Sequence, residues 1–449
     1  MMKNINDNTV KIGFVSLGCD KNRVDTEYMM SELGTQSGFT VTNDKTEADV
    51  IIVNTCGFIG AAKTESIDTI FEMAELKKQR LKKLIITGCF AERYGSELFG
   101  KIPELDAVAG IGAYDKIKDI ILGTLEDKRI LNLEKNNYDF KKRIVSTPFH
   151  YAYLRISDGC NNRCSYCAIP SIRGAYRSRT FESIEEELKG LKDGYDIKEI
   201  ILVAQDVTRY GIDLYDEYSL LKLIDIIDKY GFEWIRLMYC YPELVTDKLI
   251  KAVSGRKNLC KYLDIPLQHI SDTVLKSMNR HNDGAYAKSL IKRIREADGD
   301  IAIRSTFITG YPAETEETFG ELCDFIEEYR LNNAGFFAFS KEEGTAAARL
   351  KDIHYQTKQR RLKTLQAIQA GVIKKNNTER IGSVDKVLYE GIDGEKSMFY
   401  GRNQYNAPDI DSLVYIDGDI PLDVGRFYSV EITGTEGQFD LKGKVISRL

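Results

Sequence analysis

Short runs of aliphatic and β-branched residues recur along the first quarter of the chain, each bounded by Gly, Asp or Asn: KIGFVSL, DVIIVNT and KLIITG. Runs of this length and composition read as strands. Each is followed by helix-forming sequence, as in KTESIDTIFEMAELKKQRL. Strand–helix–strand alternation predicts a parallel sheet with helices on its faces, over residues 10–125. Residues 126–148, EDKRILNLEKNNYDFKKRIVSTP, are polar and broken in pattern and predict a linker. From residue 149 the alternation resumes with a longer repeat. AYLRIS, EIILVAQ, EWIRLMY, KYLDIP, AIRSTFIT and GFFAFS predict six strands with helices between them. That is a partial, TIM-like β/α barrel, short of the eight units that close a full one. Residues 355–377 predict a basic amphipathic helix leaving the barrel, one face packed and the other solvated. The barrel unit is expected to span 149–380. Residues 381–449 change character, with Tyr, Val, Ile and frequent DG or TG turn signals. They predict a small all-β unit, OB-like and closed from five strands.

Composition narrows the setting. With 449 residues, 43% hydrophobic and 29% charged, the chain has room for two to four domains with their own cores. No run approaches the roughly 18 apolar residues that span a bilayer, so no membrane partner is expected. The N-terminal stretch is polar and lacks the apolar segment of a signal peptide, so a cytoplasmic location is expected. The formal net charge of −5 is unevenly placed: residues 381–449 hold 7 Lys or Arg against 12 Asp or Glu, while the remaining 380 carry 56 of each sign. A domain that binds transfer RNA would present cations to phosphates. An acidic one suits a basic protein.

Nine cysteines against four histidines favour thiolate chemistry over histidine-ligated zinc. Cys160, Cys164 and Cys167 fall within GCNNRCSYC, just after the first predicted barrel strand and hence at the barrel mouth. Thiolates are the usual ligands of iron–sulfur clusters, and three of them on a cubane of four irons leave one iron open for a small molecule. The alternative is structural zinc with a distant fourth ligand such as Cys240, but such sites generally use paired CxxC knuckles. Cys19, Cys56 and Cys89 each follow a predicted parallel strand directly. Parallel strands end on one edge of their sheet, the edge where open α/β folds bind ligands. The three are expected to converge on a second cluster with the same vacancy. Cys240, Cys260 and Cys323 have no partner at ligand spacing and read as packing residues, with Cys240 as a possible pocket wall.

The loop around Cys160, Cys164 and Cys167, with Tyr166 before its last cysteine, resembles the radical S-adenosylmethionine superfamily. Two three-cysteine sets in this order, followed by a β-rich tail, resemble the methylthiotransferase family over essentially the whole chain. That resemblance implies an N-terminal cluster domain, a radical S-adenosylmethionine core and a C-terminal TRAM domain. GFVSLGCDKNRVDTE, AQDVTRYG, YCYPELVTDKLI, YLDIPLQHISDTVLKSMNR and GRNQYNAPDIDSLVYI are similar to the branch that modifies a ribosomal protein. The transfer-RNA branch is expected to read closer to GQNVNSYG at AQDVTRYG. Two departures stand out: GCDKN for GCPKN, and DSLVYI for DGLVYI.

The resemblance implies addition of a methylthio group to the β-carbon of one aspartate in the decoding-centre protein of the small ribosomal subunit (uS12-type). Side-chain tuning moves pKa values by only about 2–5 units, so it cannot deprotonate an unactivated C–H at neutral pH. Two 4Fe-4S clusters and S-adenosyl-L-methionine are the implied cofactors, with an external electron donor and a sulfur donor as partners and no transfer RNA expected. No side chain is expected to act as acid or base. Gln205, Gln268, Arg304 and Gly310, near strand ends with Asp206, His269 and Thr306, are expected in the S-adenosylmethionine pocket. Arg304 would pair with the cofactor carboxylate, and His269 would hydrogen-bond rather than ligate metal. A transfer-RNA adenosine methylthiotransferase and a non-catalytic iron–sulfur electron carrier are the competing readings.

Overall fold

The computed structural model describes residues 9–34, 38–134, 142–417 and 421–449. Strands β1 (Val10–Ser16), β2 (Phe39–Thr42), β3 (Val50–Thr55), β4 (Lys83–Thr87), β5 (Ala107–Ala109) and β6 (Ile130–Asn132) form one sheet in the order β2-β1-β3-β4-β5-β6. Every pairing in it is parallel. Alternation along β3 explains why it lies at the centre. Val50 and Ile52 pack with Met29, Leu33 and Ile117 on one face, while Ile51 and Val53 pack with Ile70, Phe90 and Leu98 on the other.

The predicted linker contains part of this sheet. Ile130–Asn132 pairs with β5 as the edge strand, and Arg143 is buried between Glu27 (2.6 Å) and Glu187 (2.7 Å). A basic residue reads as solvent-facing in sequence, but here two carboxylates from different domains draw it inside. Residues 135–141 of that stretch lie outside the described residues.

A second parallel sheet follows. It comprises β7 (Tyr151–Arg155), β10 (Glu199–Val203), β11 (Trp234–Leu237), β12 (Leu259–Asp264), β13 (Ala302–Thr309) and β14 (Asn333–Ala338), ordered β14-β13-β12-β11-β10-β7. The short pair β8 (Ser157–Asp158) and β9 (Arg177–Ser178) is antiparallel and pinches the base of the cysteine loop between them. Leu154, Ile200, Leu202, Ile235, Leu263 and Phe307 face the surrounding helices. Tyr153, Ile201, Val203, Trp234 and Tyr262 face inward. Both flanking domains reach this inner face. Val24 and Tyr28 arrive from the first helix (Asp20–Gly34), and Leu388, Ala407 and Phe427 arrive from the tail. Trp234 meets Phe427 edge-on, with ring centroids 4.8 Å apart.

The tail is a closed barrel of β15 (Val384–Asp393), β16 (Met398–Asn403), β17 (Val414–Asp417), β19 (Asp440–Arg448) and β18 (Phe427–Glu436). The parallel β17–β19 pairing completes it, while the other neighbours run antiparallel. It docks through Arg402, fully buried between Glu199 (2.8 Å) and Glu390 (2.7 Å). Burial alone pushes the Glu390 carboxyl up, but Arg402 and His150 outweigh it and hold it at about 2. The N-terminal domain is fastened to both ends of the open sheet. Arg143 and Arg155 join it beside β7, and Glu342 after β14 receives Lys63 and Arg93, each at 2.8 Å. No helix among the described residues is long and apolar enough to cross a membrane.

Candidate functional site

β1, β3 and β4 are adjacent, with Ser16 opposite Asn54 and Asn54 opposite Thr87. Cys19, Cys56 and Cys89 therefore leave neighbouring strands at almost the same height. The side chain of Asn22, fully buried, ties the three ends together. Its amide donates to Leu17 O and Thr55 O, both at 3.1 Å, and its oxygen accepts from Cys89 Sγ at 3.7 Å. Ser66 holds the Cys56 backbone through both its N–H and its carbonyl. Gly88 makes the turn into Cys89 at φ +91°. A Cβ there would lie 2.4 Å from Thr55 O, so only glycine lets the two strand ends approach.

Asp20 accepts from Lys21 Nζ (3.1 Å) and from the Tyr239 hydroxyl (3.2 Å). The Lys21 ammonium sits 3.5 Å above the Tyr239 ring. Asp20 and Lys21 thus anchor the N-terminal domain to the barrel mouth beside Cys19.

The second set is organised locally. Gly159 turns at φ +73°, where a Cβ would strike Ala175 O at 2.1 Å. Cys160 N–H then donates to Gly174 O (3.1 Å) and Cys167 N–H to Cys164 O (3.1 Å). Ser165, between the cysteines, donates from its backbone to Met278 O and from its hydroxyl to Ser277 O, both at 2.9 Å. Arg280 lies 3.9 Å from Cys164 Sγ, fixed by Pro266 O and stacked 4.2 Å from the Tyr241 ring.

All nine cysteines are free thiols. Burial pushes the Cys89 and Cys167 thiols up to about 12 and the Cys160 thiol up to about 11, and raises that of Cys56. Within each set the neighbouring cysteines add to this upward push. Thiols of this kind ionise when a metal displaces their protons. Three soft ligands per set, with one guanidinium beside each set, fit an iron–sulfur cluster that carries net negative charge.

The two sets meet. Cys89 packs against Ala168, which follows Cys167, and against Ile172. From the same short helix (Ile169–Arg173), Arg173 reaches across the domain boundary. It donates to Asn22 Oδ1 (2.9 Å) and Asp25 (2.8 Å), and to both oxygens of Asp158 (3.2 and 3.3 Å). Asn22 and Arg173 escaped the sequence reading. Asn22 in GCDKN and Arg173 in IPSIRG carry no ligand chemistry, and only their proximity to the cysteines could have drawn notice.

The remaining residues divide. Gln205, at the end of β10, donates to Asp158 Oδ1 (3.1 Å), and its Oε1 is buried without a hydrogen-bond partner among the described residues. Gln268 stands at φ +70° and bridges β13 through its backbone, at 2.8 Å to Thr306 O and 2.8 Å from Ile308 N–H. The N–H of Gly310 is taken by Glu314, and the Lys358 side chain packs over its α-carbon. Arg304 is engaged by Asp264 (3.2 Å) and by Asp411 of the tail (3.3 Å), two carboxylates that occupy the fork a cofactor carboxylate would need. Asp206 caps its own turn through Thr208, and His269 is held between Glu314 and Ser271. Cys240 is buried in the cluster between the sheet and the surrounding helices.

Three family descriptions match the chain in succession: the uncharacterized protein family UPF0004 over residues 11–110, the radical SAM superfamily over 154–326 and the TRAM domain over 381–446. Among solved structures, the apo form of the cobalamin-dependent S-adenosylmethionine radical enzyme OxsB superposes with a TM-score of 0.51 at 13% identity. The match covers 80% of this chain and 56% of that one, a likeness of fold alone. Much nearer in sequence are proteins named ribosomal protein uS12 methylthiotransferase RimO. The one from Clostridium tetani is 45% identical over 97% of this chain and 98% of its own. The one from Clostridioides difficile is 45% identical over 98% of this chain and 100% of its own. Identity of that extent over nearly the whole length of both chains means that this chain belongs to the ribosomal protein uS12 methylthiotransferase RimO family.

Proposed function

We propose that the protein adds a methylthio group to the β-carbon of one aspartate of ribosomal protein uS12, using two 4Fe-4S clusters. As a radical S-adenosylmethionine enzyme, it works with S-adenosylmethionine and an iron–sulfur cluster. Cys160, Cys164 and Cys167 would hold the cluster that engages S-adenosylmethionine, and Cys19, Cys56 and Cys89 would hold the second. When bound, these groups supply hydrogen abstraction from an unactivated carbon at the first set and sulfur at the other.

The chain's own residues orient and enclose. Ser165, Tyr311 and Met278 fix the loop against the barrel mouth, with the Ser165 and Tyr311 hydroxyls 2.8 Å apart. Gln205, with its free oxygen, and Gln268, with its strained backbone, are the best-placed pocket residues. Gly310 and Arg304 shape the wall. The N-terminal domain, anchored beside β7 and after β14, excludes water from the space between the sets. The contact of Cys89 with Ala168 is the observation that carries this reading, because sulfur must pass between the two sets without leaving the protein.

The tail is the proposed docking module for basic uS12. Glu395, Asp409, Asp417, Asp423 and Glu431 are exposed on it, whereas Arg402 is buried. An external electron donor and a sulfur donor complete the reaction, and transfer RNA is not a substrate. Mass spectrometry of uS12 and of transfer RNA from cells lacking the protein tests the assignment. Loss of the methylthio mass from uS12 alone is expected; loss from transfer RNA with uS12 intact would overturn it.

A further inference from the structure

Arg173, of the barrel domain, reaches both Asn22, which holds the strand ends of the N-terminal cysteines, and Asp158 at the base of the cysteine loop. Its side chain is 2% exposed. One amino group shares the Asn22 oxygen with the Cys89 thiol and also meets Asp25, while the other clasps Asp158, two residues before Cys160. Ile172, its neighbour, packs on Cys89 itself. A buried guanidinium cannot shed its proton, so the positive charge at this spot is permanent.

We propose that Arg173 is a positioning residue that holds Cys89 in register with the cysteine loop and, through its fixed charge, raises the reduction potential of the N-terminal cluster. The inference rests on the two-cluster reading above. Adding an electron to a cluster adds negative charge, and a nearby cation in a low-dielectric site stabilises the reduced form more than the oxidised one. Asp158 partly offsets that charge, so Arg173 and Asp158 have opposite influences. Arg155, from β7, shares Asp25 and Asp158 (4.0 Å) with Arg173, so its charge acts in the same direction. Arg173 makes the contact with the Asn22 oxygen that also accepts from Cys89, and Arg280 lies by Cys164.

The test uses the full chain with Cys160, Cys164 and Cys167 changed to alanine, so that only the N-terminal cluster is loaded. Iron is counted, and the potential is read by electron paramagnetic resonance during anaerobic redox titration. Arg173→Gln is expected to lower the potential, Arg173→Lys to restore it towards the parent value, and Asp158→Asn to raise it. Equal potentials in all four proteins, each with full cluster, would overturn the role of Arg173 and leave the two-cluster reading standing. If Arg173→Gln fails to load, Asp158→Asn decides the matter beside Arg173→Lys: a potential raised above the parent in Asp158→Asn and close to the parent in Arg173→Lys supports the role, and an unshifted potential in Asp158→Asn overturns it. A parent protein without iron would instead overturn the two-cluster reading, and the inference with it.

Discussion

The two cysteine triads have the same ligand count and are built in opposite ways. Cys19, Cys56 and Cys89 are spread over 71 residues and are brought together by three adjacent parallel strands, with Asn22 fastening the ends. Cys160, Cys164 and Cys167 occupy eight residues of one loop, held by its own turns and by Ser165. The first site is therefore a property of a folded domain, and losing the sheet loses the site. The second is a property of a loop that needs only its anchoring points. Geometry built by a sheet is rigid before any metal arrives; geometry built by a loop can adjust around it.

Removing each triad in turn gives the sharpest contrast. Alanine at Cys160, Cys164 and Cys167 should abolish formation of 5′-deoxyadenosine. Alanine at Cys19, Cys56 and Cys89 should preserve it while abolishing methylthio transfer. Anaerobic iron and sulfide analysis should fall from about eight irons to about four in either case. Retention of methylthio transfer by either variant would break the division of labour.

The turning glycines come next. Gly88→Ala forces a Cβ into the β3 backbone at a left-handed φ, and should destabilise the N-terminal domain by about 2–4 kcal/mol, seen as an earlier transition in calorimetry of the apoprotein. Gly159→Ala should leave that transition in place and lower iron loading of the loop alone. Equal effects of the two on apoprotein unfolding would mean that the loop is as integral to its domain as the sheet edge.

Asn22→Ala should be milder. It leaves Leu17 O and Thr55 O without their shared donor, a cost of about 1–3 kcal/mol. Iron bound by the N-terminal set should be lost faster to a chelator, with the loop set unchanged.

A change where the tail docks on the barrel should touch neither triad. Glu390 is held at about 2, below the ordinary carboxyl range, so its ionised form stabilises the docked tail at neutral pH, and this contribution is lost as pH falls through that value. Glu390→Gln should cost roughly 1–3 kcal/mol in urea unfolding at pH 7 and progressively less towards pH 3, with iron content unaltered.

Much of this was legible in the sequence, for a physical reason. β1, β3 and β4 carry long apolar runs because they are covered on both faces, and their ends mark the cysteines. The six barrel runs and the tail are legible on the same ground. β5 is three residues of Ala-Val-Ala, too short for any period, and β6 hides in polar sequence because an edge strand needs little apolar surface. Arg143, Asn22 and Arg173 were invisible because a buried polar side chain is defined by partners from distant segments, and sequence shows only neighbours. Arg304 is a like case: its pairing with Asp264 of β12 and Asp411 of the tail could not be read from its position on β13.

Leu388, Ala407 and Phe427 carry one further consequence. They follow the barrel in chain order, yet they cover Trp234, Tyr262 and Cys260 on the inner face of its sheet. A barrel without these residues leaves that face bare, and bare apolar surface invites aggregation and proteolysis. The tail is therefore also a cover for the core that precedes it.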